Sequence, residues 1–210
     1  ATAALLAGCS KDHNLNPFEN AKTASDERDL QARDFKSECS LEPLDAIFTG
    51  ILTAFQASLQ ASRVTYRFEG ANIKRTTEFF TSTDCSGKTA LSFVEGGEFN
   101  LHKDQKSKDG GKAIDIDYKQ LLVTAKTGEG VEAANALKLC GSDSWKEDNE
   151  NDVTAQAADS NCLGVEMPRH NSNIYRVDAK VLYLGKPSDN SNQPDDRPTS
   201  LNLSVKYTAK

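Results

Sequence analysis

Between residues 63 and 68 large apolar side chains fall on every second position: Val64, Tyr66 and Phe68 alternate with Arg63, Thr65 and Arg67. Successive side chains of an extended chain point to opposite faces, so this spacing predicts a strand with one dry and one wet face. The same period recurs down the chain. Gly70-Ala71-Asn72 reads as a turn, and Ile73 to Phe80 as a returning strand that ends in Thr-Asp-Cys-Ser-Gly. Leu91 to Phe93 and Phe99 to Leu101 flank Glu95-Gly96-Gly97-Glu98, a turn or bulge signal. Lys108-Asp109-Gly110-Gly111 precedes a long strand running from Ala113 to Val123. Two late strands are expected at Ile174 to Leu184 and Leu201 to Tyr207, the second with Leu201, Leu203, Val205 and Tyr207 on one face. Strands at this density, joined by short turns, predict a mainly β fold over residues 39–210, an antiparallel barrel or sandwich.

Two stretches break the period. Leu44, Ile47, Phe48, Ile51, Leu52, Phe55 and Leu59 have helical spacing, with Pro43 near the start, and predict a helix within residues 41–61. Gly50 and the threonines and serines of that span leave a long first strand as the alternative. Residues 130–170 are less regular: a short helix from Val131 to Leu139, then Cys140-Gly141, the sole tryptophan Trp145, and an Asn/Asp/Glu-rich loop to Cys162. A second polar loop is expected at residues 186–198.

The chain carries five cysteines, Cys9, Cys39, Cys85, Cys140 and Cys162. An odd count in an exported protein ordinarily leaves one thiol over. Residues 1–8 are apolar and lead straight into Cys9; they are too few to cross a bilayer, which takes about 20 residues. They read instead as the end of a signal-peptide hydrophobic segment. Leu6-Ala7-Gly8-Cys9 resembles the lipobox of bacterial lipoproteins. That resemblance implies diacylglyceryl transfer to the Cys9 thiol, cleavage before it, and acylation of the new amino terminus. Two or three acyl chains meet the requirement for stable anchoring. Ser10, where retained lipoproteins carry Asp, implies the outer membrane. With Cys9 lipidated, four cysteines remain in an oxidising compartment and three pairings are open. Cys39–Cys85 with Cys140–Cys162 is favoured, because the first ties the start of the domain to the second strand and the second closes the irregular excursion.

After Cys9, residues 10–38 are polar and charged, with only Leu15, Phe18, Leu30 and Phe35 as large apolar side chains. They bury too little to offset chain entropy and are expected to form a flexible tether, with a short helix at 25–36 as the alternative. A net charge of −6 and no basic stripe argue against nucleic acid as a partner.

A further resemblance spans residues 63–208. Tyr66-Arg67-Phe68-Glu69-Gly70, Glu78-Phe79-Phe80, Asp84-Cys85, Gly96-Gly97-Glu98-Phe99, Leu182-Tyr183-Leu184-Gly185 and Arg197-Pro198-Thr199-Ser200-Leu201 together resemble lipocalin-like barrels of exported bacterial proteins. Gly50-Ile51-Leu52 stands nearest the lipocalin Gly-x-Trp and lacks the Trp. The resemblance implies a barrel whose interior holds a small apolar ligand, with Tyr66, Phe68, Phe79, Phe99, Tyr118 and Tyr183 as candidate lining residues. The competing reading is that these rings fill a solid core and that the domain meets an envelope protein partner.

Catalytic chemistry finds no motif. His13, His102 and His170 fall in the tether, at a strand end and in a loop, and no nucleophile elbow, zinc-binding His-Glu-x-x-His or phosphate-cradling loop occurs. Asp115 and Asp117, two apart on a strand, share its wet face. The Asp/Asn/Glu clusters at 148–152 and 189–196 lack calcium-loop spacing, and the cysteines lack zinc spacing. The expectation is a non-enzymatic protein without metal or cofactor.

Overall fold

The computed structural model describes residues 29–55, 59–186 and 197–209. Among these described residues nine strands carry the fold: β1 (Asp34–Ser37), β2 (Ala61–Glu69), β3 (Asn72–Phe80), β4 (Thr89–Lys106), β5 (Lys112–Ala125), β6 (Glu150–Asp152), β7 (Arg169–Asp178), β8 (Val181–Leu184) and β9 (Tyr207–Ala209). Two short helices accompany them, α1 (Thr49–Ala54), preceded by a single 3-10 turn at Ala46–Phe48, and α2 (Gly128–Ala136). All strand pairings are antiparallel. Their spatial order is β4-β3-β2-β1-β9-β8-β7-β5, and β4 pairs again with β5, so eight strands close on themselves. Each strand of the ring pairs with a neighbour on both sides, although Arg169 to Asn173 of β7 pair only with β5. The ninth strand, β6, adds to the outer end of β5 through Leu122↔Asp152 and Thr124↔Glu150.

The alternation that predicts β2 and β3 sets their register. Val64, Tyr66 and Phe68 point inward and are buried, opposite Thr77, Arg75 and Ile73. Gly70 turns the hairpin with φ +59°, and Gln31 clasps it from outside, accepting from Gly70 N at 2.8 Å and donating to Gly70 O at 2.9 Å. Glu95-Gly96-Gly97-Glu98 lies inside one long strand, not in a turn between two, and faces a bulge of β5: Gly96 pairs with Gln120 and Gly97 with Tyr118, leaving Lys119 as the extra residue. A Cβ on Gly97 would sit 2.1 Å from the Asp117 carbonyl oxygen, so only glycine permits this approach.

One end of the barrel is solid. Phe48 packs against Phe79 and Phe93 at centroid distances of 5.8 and 5.4 Å, and Ile51, Phe55, Leu91, Val123 and Trp145 extend the cluster. The excursion between β5 and β7 covers this end. Thr127 caps α2 by accepting from Gly130 N, and Trp145 Nε1 donates to the carbonyls of Leu139 and Ser142. Cys140–Cys162 closes the excursion and Cys39–Cys85 ties the segment after β1 to the β3–β4 connection, the favoured pairing.

Several boundaries differ from expectation. Strand β1, with Phe35 fully buried, belongs to the barrel, so the tether expected to reach residue 38 gives up its last residues to the wall. The helix expected within 41–61 shrinks to α1, because the chain must turn back through Leu59 to start β2 at Ala61. Ile174 to Leu184 is a hairpin rather than one strand, broken at Ala179, whose φ is +56°. Leu201 to Tyr207 is not a continuous strand either. Asn202 Oδ1 accepts from Ser204 N and Ser204 Oγ, which bends the chain there and leaves Leu203 exposed while Leu201 and Tyr207 are buried. His170 lies on β7 rather than in a loop. Cys9 and the 189–196 acidic cluster lie outside the described residues, as does His13.

Candidate functional site

The interior of the barrel is not filled evenly. Above the solid end lies a cavity of about 680 Å³. Its walls come from β2, β3, β5, β7 and β8, and its rim from residues 44–47, 165–168 and 198–207. Ile116, Leu184 and Val205 give it apolar surface; Tyr66, Tyr118 and Tyr207 add rings with polar tips; Asn171 and Asn173 add amides. This mixture of apolar wall and a few convergent polar groups, at this size, is what small-molecule sites have.

Four charged side chains meet at the cavity floor. Arg75 occupies an inward position of β3 that the alternation assigns to an apolar residue, and its direct cross-strand partner on β4 is Glu95. On the other side of Arg75 in the same rung stands Tyr66 of β2. Across the barrel, Tyr118 of β5 pairs directly with Arg169 of β7. Arg75 Nε donates to Glu95 Oε2 at 2.5 Å. Arg169 donates to Glu95 Oε1 through Nε at 3.1 Å and Nη2 at 2.8 Å. Glu95 is fully buried and accepts from both guanidiniums, which compensates its loss of water. Arg75 Nη1 in turn pairs with Asp45 Oδ2. Asp45 comes from the residue before the 3-10 turn, where its other oxygen accepts from Ile47 N at 3.1 Å. Arg75 Nη2 touches Glu95 but lacks the alignment of a hydrogen bond. Aromatic faces complete the setting: the Arg75 guanidinium lies 5.2 Å from the Tyr118 ring centre and Arg169 lies 4.5 Å from it.

The electrostatic consequences have definite directions. Burial pushes the Tyr118 and Tyr207 phenols well above their ordinary range and raises Tyr66 as well, so all three stay neutral and can donate. Burial works against the Asp45 charge, yet Arg75 and Arg169 outweigh it and hold the carboxyl below its ordinary value. Burial likewise opposes the Arg75 charge, and Glu95 and Asp45 more than restore it. At neutral pH the floor therefore presents guanidinium and phenol donors toward the cavity.

A second polar group lies on the outer face. Asp115 accepts from Ser172 Oγ at 3.0 Å and Arg197 Nη2 at 2.6 Å, and faces His102 Nε2 at 2.5 Å. Burial opposes its charge, but the bonds from Arg197, His102 and Ser172 hold the carboxyl low. His170 sits between Ser172 Oγ (3.1 Å) and Asp117 Oδ1 (2.7 Å), distances that a Ser–His–Asp relay would also show. Here the serine hydroxyl is donated to Asp115, and the His170 and Asp117 side chains are 40% and 56% exposed. The row stitches β4, β5 and β7 together from outside. Among the described residues no three His, Cys, Asp or Glu side chains gather as a metal site.

Of the six rings named as candidate lining residues, Tyr66 and Tyr118 stand on the wall of this cavity. Phe68 and Phe99 pack edge-to-face at 5.2 Å in the upper core, outside the cavity lining. Phe79 belongs to the solid end, and Tyr183 stands under the Arg176 guanidinium, 5.5 Å from it, away from the cavity. Arg75, Glu95, Arg169 and Asp45 were not among the expected residues. Neither a protein-family model nor a curated protein matches the chain.

Proposed function

We propose that this chain is a lipid-anchored lipoprotein of the bacterial cell envelope whose lipocalin-like barrel binds a small apolar ligand. The observation that carries the reading is the cavity of about 680 Å³, which a solid structural domain has no need to keep. A close-packed interior leaves few voids larger than a water molecule, so open space of this size with an apolar wall and aimed polar groups supports binding over filling. The lipobox at Leu6-Ala7-Gly8-Cys9 supports anchorage, and Ser10 supports the outer membrane. Two disulfides are consistent with an exported domain. The sole tryptophan, Trp145, is buried in the solid end and is not among the residues lining the cavity, so binding is best read with an extrinsic apolar fluorophore. Titration should give saturable, one-to-one binding. Val205→Trp, which fills the cavity from its rim, should weaken it by at least about tenfold; equal binding by both proteins would place the probe elsewhere.

A further inference from the structure

Resting on the reading of the barrel as a ligand-binding module, we infer that its ligand is an amphiphile with a carboxylate headgroup, which binds Arg75 by displacing Asp45. The strands of the barrel wall contribute two cations to the cavity floor, Arg75 and Arg169, and one anion, Glu95. The wall alone is therefore one positive charge in excess. The balancing anion is Asp45, and it is supplied by a different kind of element: a loop residue before a single 3-10 turn, outside the hydrogen-bonded wall.

The burial of the four groups separates them. Side-chain exposure is 1% for Glu95, 4% for Arg75 and 15% for Arg169, but 30% for Asp45. Glu95 is a permanent part of the floor, held by both guanidiniums. Asp45 reaches the floor from the rim and holds only Arg75 Nη1, because its second oxygen is engaged with Ile47 N. Arg75 Nη2 lies against the buried Glu95 Oε2, so Nη1 is the guanidinium nitrogen that Glu95 leaves to Asp45. A carboxylate entering the cavity can take the place of Asp45 at Nη1, a charge-assisted hydrogen bond of the same kind. The exchange leaves the charge of the floor unchanged, since one carboxylate replaces another, and returns Asp45 to water. The neutral phenols of Tyr66 and Tyr207 stand beside the same guanidinium as further donors, while Ile116, Leu184 and Val205 offer surface to an apolar tail. Asp45 thus acts as a built-in stand-in for the ligand headgroup.

Calorimetric titration of the intact, disulfide-bonded protein with dodecanoate and dodecanol tests this. Wild type should bind the acid more tightly than the alcohol. Asp45→Asn removes the competing charge and keeps the acceptor for Ile47 N; it should raise dodecanoate affinity about five- to tenfold, the scale of one ion pair, and leave dodecanol within about twofold. Arg75→Lys keeps the charge but loses the fork and should bring the acid down to the level of the alcohol. Equal affinity of wild type for the two ligands, or an unchanged ratio in Asp45→Asn, overturns the headgroup inference while leaving the pocket intact. Failure of both ligands and of the apolar fluorophore to bind instead overturns the pocket itself. Should a variant not fold, the wild-type ratio alone decides.

Discussion

Glu95 is the residue on which the cavity floor depends. It has no exposed surface and takes hydrogen bonds from Arg75 Nε and from two nitrogens of Arg169. Glu95→Gln leaves two guanidiniums around a neutral amide, and breaking a buried pair in this way costs about 3–5 kcal/mol. Urea denaturation should show that loss. A change under about 1 kcal/mol would mean that water reaches the floor and screens it. Asp45 makes the complementary test in acid. Its folded-state pKa lies below the ordinary aspartate value of 3.8, so it binds fewer protons folded than unfolded around that pH. Its contribution to stability is present above 3.8 and is lost as pH falls through the lower, folded-state value. Asp45→Asn should therefore reduce the slope of the acid limb of the stability–pH curve below about pH 4, read from denaturant midpoints, with Asp84, Asp109, Asp115, Glu129 and Asp152, whose carboxyls are also held low, supplying the slope that remains. A variant with the wild-type acid limb would show that the Asp45–Arg75 pair contributes nothing to folding. The two tyrosines of the site were legible because alternation along β2 and β5 turns Tyr66 and Tyr118 inward. The charges were legible in principle by the same rule. Arg75 falls between Ile73 and Thr77 on the inward face, and Glu95 follows Leu91 and Phe93 on theirs. A charge in an inward register marks a site, but its partner is set by cross-strand register, which one strand's sequence does not report.

At the scale of elements, the β2–β3 hairpin was read well and the short strands near the chain's ends poorly, for a physical reason. β2 and β3 are paired through nine consecutive positions, Ala61↔Phe80 to Glu69↔Asn72, and local alternation with one turn suffices to specify such a unit. Strand β9 and the exposed Leu203 follow from an Asn202–Ser204 bend that overrides an apolar spacing. The short β1 owes its place to pairing with β2 and β9, both distant in sequence, and nothing in Asp34-Phe35-Lys36-Ser37 alone announces that. The β5 bulge at Lys119, facing Gly96 and Gly97, is the element most open to test. Gly97→Ala drives a Cβ into the Asp117 backbone and should destabilise the protein by at least about 3 kcal/mol, as a forced backbone shift in a packed sheet does. Gly50→Ala, in α1 with nothing within 4 Å of the added atom, should instead be neutral or stabilise by about 0.5–1 kcal/mol. Thermal unfolding of the two variants side by side distinguishes them; equal midpoints would mean that the bulge shifts freely along β5.

For the molecule as a whole, the division of the interior is the central fact. A solid end built around Phe48, Phe79 and Phe93 and closed by Cys140–Cys162 gives the barrel rigidity, and stability there allows the rest to stay open. The second disulfide, Cys39–Cys85, fixes the segment that leads to Asp45 and the rim. A chain tethered at Cys9 would hold this cavity near a lipid surface, where apolar and amphiphilic molecules are found. Native mass spectrometry of the protein purified in mild, detergent-free conditions tests the ligand-binding reading most directly. A one-to-one adduct of a small apolar or amphiphilic molecule is expected, absent from Val205→Trp prepared in the same way. A wild-type spectrum holding only bare protein, together with no uptake of added dodecanoate or dodecanol, would contradict that reading.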